Sequence, residues 1–163
     1  MAFIETERLI LRTWMPSDAP ALLESYSDPE VTRFLPMSSA PTLESTSAWI
    51  DRQIDEQERE GFSVWPVIRK DDGRLIGRCG LHRLPEGYVE IAWVFERASW
   101  GHGYATEAAR AALTYARETL RLPNLYALIN PANSASIAVA YRLGMRFDRV
   151  VRAYKRELLR YVL

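Results

Sequence analysis

Two glycines, Gly101 and Gly103, stand directly before a segment with the apolar periodicity of an amphipathic helix. The first backbone N–H groups of a helix have no partner within it, and the helix dipole places about half a positive charge there. Because glycine has no Cβ, the backbone can adopt positive φ and approach a ligand closely. This arrangement suits phosphate binding, and an ordinary loop with two glycines is the alternative. The apolar stripe of the helix consists of Ala109, Ala112, Leu113, Ala116 and Leu120.

Two common nucleotide-binding motifs do not match this turn. A P-loop requires G-x-x-x-x-G-K-[ST], and no lysine follows either glycine. The dinucleotide fingerprint has a third glycine where this sequence has Thr106. It also needs an acidic residue about 20 positions further on, where Pro123 and Asn124 stand. A dinucleotide-dependent oxidoreductase is therefore the weakest of the functional alternatives.

A third pattern fits residues 100–105, Trp-Gly-His-Gly-Tyr-Ala. They resemble the R/Q-x-x-G-x-G/A pyrophosphate loop of the GNAT superfamily of N-acetyltransferases, with Gly103 and Ala105 at its fourth and sixth positions and Trp100 replacing its first residue. Residues 105–109, 133–136 and 142–145, with 5–12 near the start, are similar to the branch that acetylates the N-termini of ribosomal proteins. The resemblance covers nearly the whole chain.

The resemblance implies an α/β fold of the α+β type. It implies a single domain over residues 1–163, with a mixed, mostly antiparallel sheet of about seven strands flanked by helices. Residues 1–61 would form the acceptor side and residues 62–163 the cofactor-binding core. The implied reaction is direct transfer of acetyl from acetyl-CoA to a primary amine, on a protein N-terminus or a small molecule, without a covalent enzyme intermediate. No metal is expected.

The resemblance also implies the residues that contact acetyl-CoA. Backbone N–H groups near Val94 would meet the thioester carbonyl, where the strand splays from its neighbour. The pair Asn133 and Ser136 would face the pantetheine arm and thiol, although a helix cap is the alternative for Asn133 and an ordinary first-turn serine for Ser136. The expected cofactor-binding residues are Val94, Trp100, Gly101, His102, Gly103, Tyr104, Ala105, Thr106, Asn133 and Ser136.

Glu90 is the acidic exception in the apolar segment 88–95, which predicts a buried strand leading into the glycine turn. Burial raises the pKa of a carboxyl group toward neutrality, so Glu90 is the first candidate for the base, or for a group that orders a water. A structural acid paired with an arginine or with backbone N–H groups is an equal alternative.

The leaving thiolate needs a proton donor, and the tyrosine that often serves in the resembled family is missing. Ala140 occupies its position, and Tyr141 follows one residue later. A shift of one residue rotates a helical side chain by about 100°, so Tyr141 need not face the sulfur. Ser136 is therefore the second catalytic candidate, beside Glu90.

The remaining patterns predict the elements that position these residues. Strands are predicted at 9–14, 62–69, 74–84, 88–95, 125–129, 146–153 and 157–163. Helices are predicted up to about Tyr26 with Ser17 as the cap, at 29–34, from about Leu43 to Gly61, after Gly103, and from Asn133 or Ser134 to Gly144. Three aromatic residues of the first helices are predicted to line the acceptor site or, alternatively, to pack in the core: Tyr26, Phe34 and Trp49.

Composition and charge narrow the class of protein. A length of 163 residues with 48% hydrophobic content suits one globular domain. Neither a basic leader nor an apolar run of 18 residues is present, which predicts a cytoplasmic protein without a membrane partner. Cys79 is the single cysteine, so it is predicted to be a packed strand residue rather than a disulfide or metal ligand.

The net charge is zero, but it is unevenly distributed. Residues 1–61 hold 12 acidic and 5 basic side chains, and residues 62–163 hold 9 and 16. A net charge of zero argues against nucleic acid as the main partner. The excess of acidic residues in 1–61 suits a cationic substrate near that segment, and the excess of basic residues in 62–163 suits an anionic cofactor there. A catalytically silent acyl-CoA-binding or regulatory module is the main alternative to an enzyme. The protein is expected to be a monomer or a homodimer.

Overall fold

Over the described residues 3–163, the computed structural model shows one sheet of eight strands with helices on both faces. The strands are β1 (Ile4–Glu5), β2 (Leu9–Leu11), β3 (Val64–Arg69), β4 (Leu75–Arg83), β5 (Val89–Phe95), β6 (Leu125–Ile129), β7 (Arg146–Ala153) and β8 (Arg156–Val162). The helices are α1 (Ala19–Tyr26), α2 (Pro29–Thr32), α3 (Leu43–Glu60), α4 (Tyr104–Glu118) and α5 (Ser134–Arg142).

The strand order is β1-β2-β3-β4-β5-β6-β8-β7, and every neighbouring pair is antiparallel except β5 and β6. The expected fold class, a mixed and mostly antiparallel sheet flanked by helices, is confirmed. The described strand beyond the expected seven is β1, whose two residues pair with Leu11 and Ile10. A strand of two residues is too short to show an alternation of apolar and polar residues, and therefore the sequence did not predict it.

Helix α4 packs against β4 and β5 through the predicted alanine stripe. Ala109, Ala112 and Ala116 are completely buried, and Leu113 is nearly so. Small side chains let the helix axis approach the sheet closely, which fixes the start of α4 relative to β5. Cys79 lies in the same core, in strand β4, as predicted.

The opposite face of the sheet is covered by α1 and α3. Side chains alternate across β4 from Gly77 to Arg83, so the even-numbered ones face these helices and the odd-numbered ones face α4. Arg78, for example, contacts Tyr26 of α1, and His82 contacts Glu56 of α3. The even-numbered face of β4 and β5 is therefore one wall of the space between the sheet and the first helices. A bulge reverses this order at the start of β4, where Leu75 packs with the cluster of α1 and α3 and Ile76 lies in the core on the side of α4.

Three predicted details of the first segment need correction. Strand β2 ends at Leu11, because Trp14 leaves the sheet to pack among α1 and α3. Ser17 does not cap the first helix. The side chain that forms hydrogen bonds at this helix start is Asp18, which accepts them from Met15 N–H and from the Arg12 guanidinium. Helix α2 ends at Thr32 instead of Phe34. Within residues 3–163, no helix has the length and apolar character needed to cross a membrane.

Candidate functional site

The parallel strands β5 and β6 diverge soon after they meet. They pair only at Val89 with Leu125 and at Glu90 with Tyr126, although β5 continues to Phe95 and β6 to Ile129. The gap beyond Glu90 opens into a groove of about 1660 Å³ that also runs past the starts of α4 and α5. Most of the residues predicted from the sequence meet along this groove.

Two hydrogen bonds show which backbone groups of β5 are turned toward β4. Leu84 N–H donates to Tyr88 O, and Glu96 N–H donates to Ile76 O, both at 2.9 Å. In an antiparallel ladder the hydrogen-bonded pairs recur at every second residue, and the register between these two bonds is unbroken. The even-numbered residues of β5 therefore bond to β4, and the odd-numbered ones direct their backbone groups to the other side.

The N–H groups that face the gap are consequently those of Trp93 and Phe95, where none of the described strands pairs with β5 on that side. The Phe95 carbonyl confirms this orientation, because it accepts a hydrogen bond from Trp100 Nε1 at 2.9 Å. Val94 lies between these residues, with its side chain lining the groove and its own N–H on the side of β4. The free donors expected near Val94 are thus its two neighbours.

The glycine turn leads into α4 with the expected backbone geometry. Gly101 and Gly103 have φ of 77° and 79°, values that residues with a Cβ rarely adopt. The first hydrogen bond of the helix runs from Glu107 N–H to Gly103 O, and among residues 3–163 no side-chain hydrogen bond caps the helix start. The N–H groups of Tyr104, Ala105 and Thr106 precede that bond, so they remain available to an anion.

The side chains of the turn differ in how they contribute to the groove. Trp100, Tyr104, Ala105 and Thr106 line it together with both glycines, whereas His102 does not. The exposed His102 ring lies against Tyr104, with 5.6 Å between the ring centroids. The His102 side chain therefore lies outside the groove, and only the backbone of His102 contributes to the turn.

Glu107 fastens the beginning of the chain to the start of α4. Its Oε1 accepts hydrogen bonds from Thr6 Oγ1 at 2.6 Å and from Arg8 N–H at 2.9 Å, and its Oε2 lies 2.7 Å from the Arg8 guanidinium. The Arg8 guanidinium also lies over the ring of Tyr104. Sequence reasoning missed this contact because its partners are about 100 residues apart.

The start of α5 forms the opposite wall of the groove. Asn133 caps the helix, since its Oδ1 accepts a hydrogen bond from Ser136 N–H at 3.1 Å, and both residues line the groove. Among the described residues, the Ser136 hydroxyl has no hydrogen-bond partner. Ala140 is buried in the core, and Tyr141 is 58% exposed and packs edge-on against Tyr161, away from the groove.

Glu90 lies where β5 and β6 separate, and it is only 7% exposed. Burial raises the pKa of its carboxyl group from 4.5 to about 7. Tyr154 donates a hydrogen bond to Glu90 Oε2 at 2.7 Å, which favours the ionised form and limits the rise. Within residues 3–163 no arginine lies within ion-pair distance of this carboxylate, so the structural alternative of an Arg–Glu pair does not describe it.

Tyr154 reaches Glu90 from the turn between β7 and β8. Tyr154 and Lys155 have φ of 50° and 60°, the geometry of a two-residue turn that Asn-Gly usually occupies. Positive φ at a residue with a Cβ costs about 1–2 kcal/mol. The sequence predicted the turn but not this conformation, and the strained turn directs the Tyr154 hydroxyl at the carboxylate.

A histidine lies beside Glu90 on the neighbouring strand. His82 pairs with Glu90 across β4 and β5, and its Nδ1 is 2.8 Å from Oε1 of the buried Glu56. The Glu56 carboxylate raises the pKa of His82, and the charge of His82 in turn lowers the pKa of Glu90. Neither residue was singled out from the sequence, because their proximity depends on how α3 crosses the sheet.

The aromatic candidates of the first segment divide between the groove and the core. Phe34 and Trp49 line the groove, and Trp49 also packs edge-on against Trp14. The Tyr26 hydroxyl accepts a hydrogen bond from Arg78, which itself lines the groove. In the part of the chain that the structure describes, no three His, Cys, Asp or Glu side chains cluster as metal ligands do.

The chain is similar to known acetyltransferases along most of its length. A family model described as "Acetyltransferase (GNAT) domain" matches residues 8–146. The uncharacterized protein YkkB of Bacillus subtilis (strain 168) is 32% identical, covering 96% of this chain and 92% of YkkB. The uncharacterized N-acetyltransferase p20 of Bacillus licheniformis is 30% identical, covering 96% and 89%.

Solved structures show the same fold. An acetyltransferase from Agrobacterium tumefaciens str. C58 is 29% identical, with a TM-score of 0.87, covering 100% of this chain and 94% of that one. A putative ribosomal-protein-serine acetyltransferase from Vibrio cholerae has a TM-score of 0.86, covering 99% and 97%, but is 18% identical. That second likeness shows a shared fold only.

Proposed function

Because this chain belongs to the GNAT family of acetyltransferases, we propose that it transfers the acetyl group of acetyl-CoA directly to a primary amine bound beside Glu90. The observation that carries this proposal is the position of Glu90. It is a buried carboxyl group with a pKa near 7, at the point where β5 and β6 separate and open the groove. The acceptor is a protein N-terminus or a small-molecule amine, and assignment to the ribosomal-protein branch stays a prediction.

The groove suits an anionic, extended cosubstrate such as acetyl-CoA, which supplies the acetyl group as a thioester. The uncapped start of α4 presents three backbone N–H groups at a turn where two glycines leave the backbone accessible. The side chains of Arg110 and Arg142 add positive charge along the same groove. The residues proposed to hold the cosubstrate are Val94, Trp100, Gly101, His102 by its backbone, Gly103, Tyr104, Ala105, Thr106, Asn133 and Ser136.

Glu90 is proposed to accept the proton of the amine, directly or through a water. A pKa of about 7 places a substantial part of the carboxyl groups in the ionised form at neutral pH, and leaves that form basic enough to take a proton. The Tyr154 hydroxyl orients Oε2, so that the carboxylate keeps one direction in the groove. His82 stabilises the ionised state from the neighbouring strand.

The N–H groups of Trp93 and Phe95 are proposed to stabilise the carbonyl oxygen as it becomes negatively charged. Both belong to a strand fixed by its ladder to β4, so they are held in place before the reaction begins. Ser136 is proposed to donate a proton or a hydrogen bond to the leaving sulfur, because this residue lines the groove and its hydroxyl has no hydrogen-bond partner in the described chain. Tyr141 cannot take this role, since it packs on the other side of α5.

Release of free CoA thiol tests the proposal. The purified protein is given acetyl-CoA and a panel of amines that includes peptides with free N-termini, amino acids and polyamines, and products are identified by mass spectrometry. Saturable, amine-dependent release with an acetylated product supports the enzyme. Saturable acetyl-CoA binding without release on any amine would support the acyl-CoA-binding module in its place.

Replacing Tyr154 with phenylalanine is expected to shift the acidic limb of the pH profile of kcat/KM to higher pH. The hydroxyl donates a hydrogen bond to the ionised carboxylate and thereby lowers the pKa of Glu90, so its removal raises that pKa further. The turn keeps its aromatic ring, so the substitution removes only the hydroxyl group. Tyr141→Phe is the matched control and leaves the profile in place; an equal shift in both variants, or none in Tyr154→Phe, contradicts the assignment.

A further inference from the structure

Arg78 lies on the acceptor side of the groove, on the same face of β4 as His82. Its register partner on β5 is Val94, and its side chain lines the groove. Glu90 pairs with His82 four positions along the same ladder. Arg78 and Glu90 therefore extend from one wall, separated along the strands by about 13 Å between Cα atoms.

Aromatic rings hold the Arg78 guanidinium in place. Its Cζ lies 4.8 Å from the centroid of the Trp49 ring and 5.9 Å from that of Tyr26, and Nε donates a hydrogen bond to the Tyr26 hydroxyl. A guanidinium has five N–H donors in one plane, so this bond leaves the outer edge with its donors available. Stacking fixes that plane without neutralising its charge.

Within residues 3–163, no carboxylate lies within ion-pair distance of Arg78, although two other arginines near the sheet have such a partner. Its strand neighbour Arg83 pairs with Glu60 at 2.9 Å, and Arg12 pairs with Asp18 at 2.8 Å. Arg156 also lines the groove, and its guanidinium donates a hydrogen bond to the Phe34 carbonyl and forms no ion pair with a carboxylate of the described residues. The acceptor side thus holds a preorganised cation whose natural complement, a carboxylate, is not supplied by the described chain.

We propose that the acceptor is a small molecule that carries a carboxylate as well as its amine, and that Arg78 binds this carboxylate while the amine lies toward Glu90. The inference rests on the proposed acetyl transfer and names the substrate class for it. The planar fork of a fixed guanidinium matches the two oxygens of a carboxylate, which gives two parallel charge-assisted hydrogen bonds. Charge at this position therefore selects amino acids over simple amines.

Electrostatics within the groove agrees with this assignment. The positive charge of Arg78 lowers the pKa values of Glu90 and His82, so its field reaches the space in which the amine would react. A carboxylate bound at Arg78 offsets that charge. Binding of the acceptor then makes Glu90 a stronger base than it is in the empty groove.

Matched acceptors and variants test the inference. Each amino acid is compared with its carboxamide and with the decarboxylated amine, over several separations between amine and carboxylate, and short peptides with acidic N-terminal residues form a separate arm. The carboxamide has the less basic amine, because it lacks a neighbouring negative charge, so a preference for the free acid cannot come from amine deprotonation. Wild-type protein is expected to favour the free acid at least tenfold in kcat/KM.

Arg78→Met keeps the apolar stem against Trp49 and removes the charged fork. It is expected to lower kcat/KM on the carboxylate acceptor by about 10²-fold, as expected for loss of charge-assisted hydrogen bonds, and to change the value for the carboxamide only a few-fold. Arg78→Lys should recover part of the preference, since it keeps the charge but not the fork. Arg83→Met, on the same strand but outside the groove, should leave the preference unchanged.

Equal use of acids and carboxamides by wild type, or an equal loss on both acceptors in Arg78→Met, overturns the inference while the proposed function stands. Preference confined to the peptide arm also overturns it, because the acceptor would then be a protein N-terminus. Absence of CoA release on every amine defeats the proposed function itself. Acetyl-CoA affinity measured in each variant shows that the fold and the cofactor side are intact.

Discussion

Glu90→Gln is expected to lower kcat by about 10²–10⁴-fold and to leave acetyl-CoA affinity nearly unchanged. Glutamine preserves the shape of the side chain and can still accept the hydrogen bond from Tyr154, but it cannot take a proton from the amine. Steady-state kinetics with both substrates varied measures the two effects separately. Glu86→Gln, at an exposed turn four residues earlier, is the matched control and should behave as wild type.

The loss in Glu90→Gln should depend on the acceptor. Deprotonation at pH 7 costs about 4.6 kcal/mol for an amine of pKa about 10.4, and about 1.4 kcal/mol for one of pKa about 8. The variant is therefore expected to retain more activity on the less basic amine, and higher pH should partly restore activity on both. Wild-type turnover by a folded Glu90→Gln protein would remove Glu90 from the mechanism.

The pH dependence of thermal stability tests whether Glu90 has a purely structural role. The folded-state pKa of Glu90 lies above its ordinary value of 4.5, so between these two values the folded protein binds a proton that the unfolded chain has released. Wild-type stability should consequently fall as pH rises through this range. Glu90→Gln carries no such charge, so its melting temperature relative to wild type should rise by a few degrees between about pH 5 and pH 8. A variant destabilised equally at both values would indicate a structural acid.

Gly103→Val is expected to weaken acetyl-CoA binding by at least tenfold in a protein that still folds. The φ of 79° at Gly103 is unfavourable for a β-branched residue, so the turn must change conformation and move the N–H groups at the start of α4. Loss of one charge-assisted hydrogen bond to a phosphate, about 1.5–3 kcal/mol, corresponds to a factor of about 10–10² in affinity. Calorimetric titration with acetyl-CoA measures it.

Gly73→Val separates backbone strain from lost binding. Gly73 has φ of 69° in the turn between β3 and β4, and a Cβ there would meet nothing within 4 Å. A Cβ at Gly103 would meet only Arg8 Nη2, at 3.6 Å, so the two substitutions impose similar strain and little crowding. Both variants should lose comparable thermal stability, and only Gly103→Val should lose affinity. Near-native affinity in folded Gly103→Val protein would rule out the pyrophosphate assignment.

Local patterns in the sequence were sufficient for the elements on which the site is built. The alanine stripe of α4 repeats within two turns of helix, and the positive φ of Gly101 and Gly103 depends on the residue type itself. The burial of Glu90 followed from its apolar neighbours on a central strand. Each of these properties is a matter of residues a few positions apart, and therefore a single sequence displays it.

The partners of those residues were decided by the tertiary structure. Tyr154 reaches Glu90 across 64 positions, Arg78 reaches Tyr26 across 52, and His82 reaches Glu56 across 26. Alternation along a strand predicts which face a side chain occupies, but not which helix or turn covers that face. The packing of α1, α3 and the β7–β8 turn over the sheet makes those choices.

Backbone orientation in the groove was also beyond the sequence. The N–H groups of Trp93 and Phe95 face the gap only because β6 leaves β5 after Glu90, and that divergence depends on how β6 pairs with β8, which follows later in the chain. Residue types along β5 predict a buried strand equally well with or without a partner on that side. The sequence by itself therefore determined that a glycine turn precedes α4 and that β5 carries a buried acid, whereas the paths of the strands decided which donors and which side chains meet them.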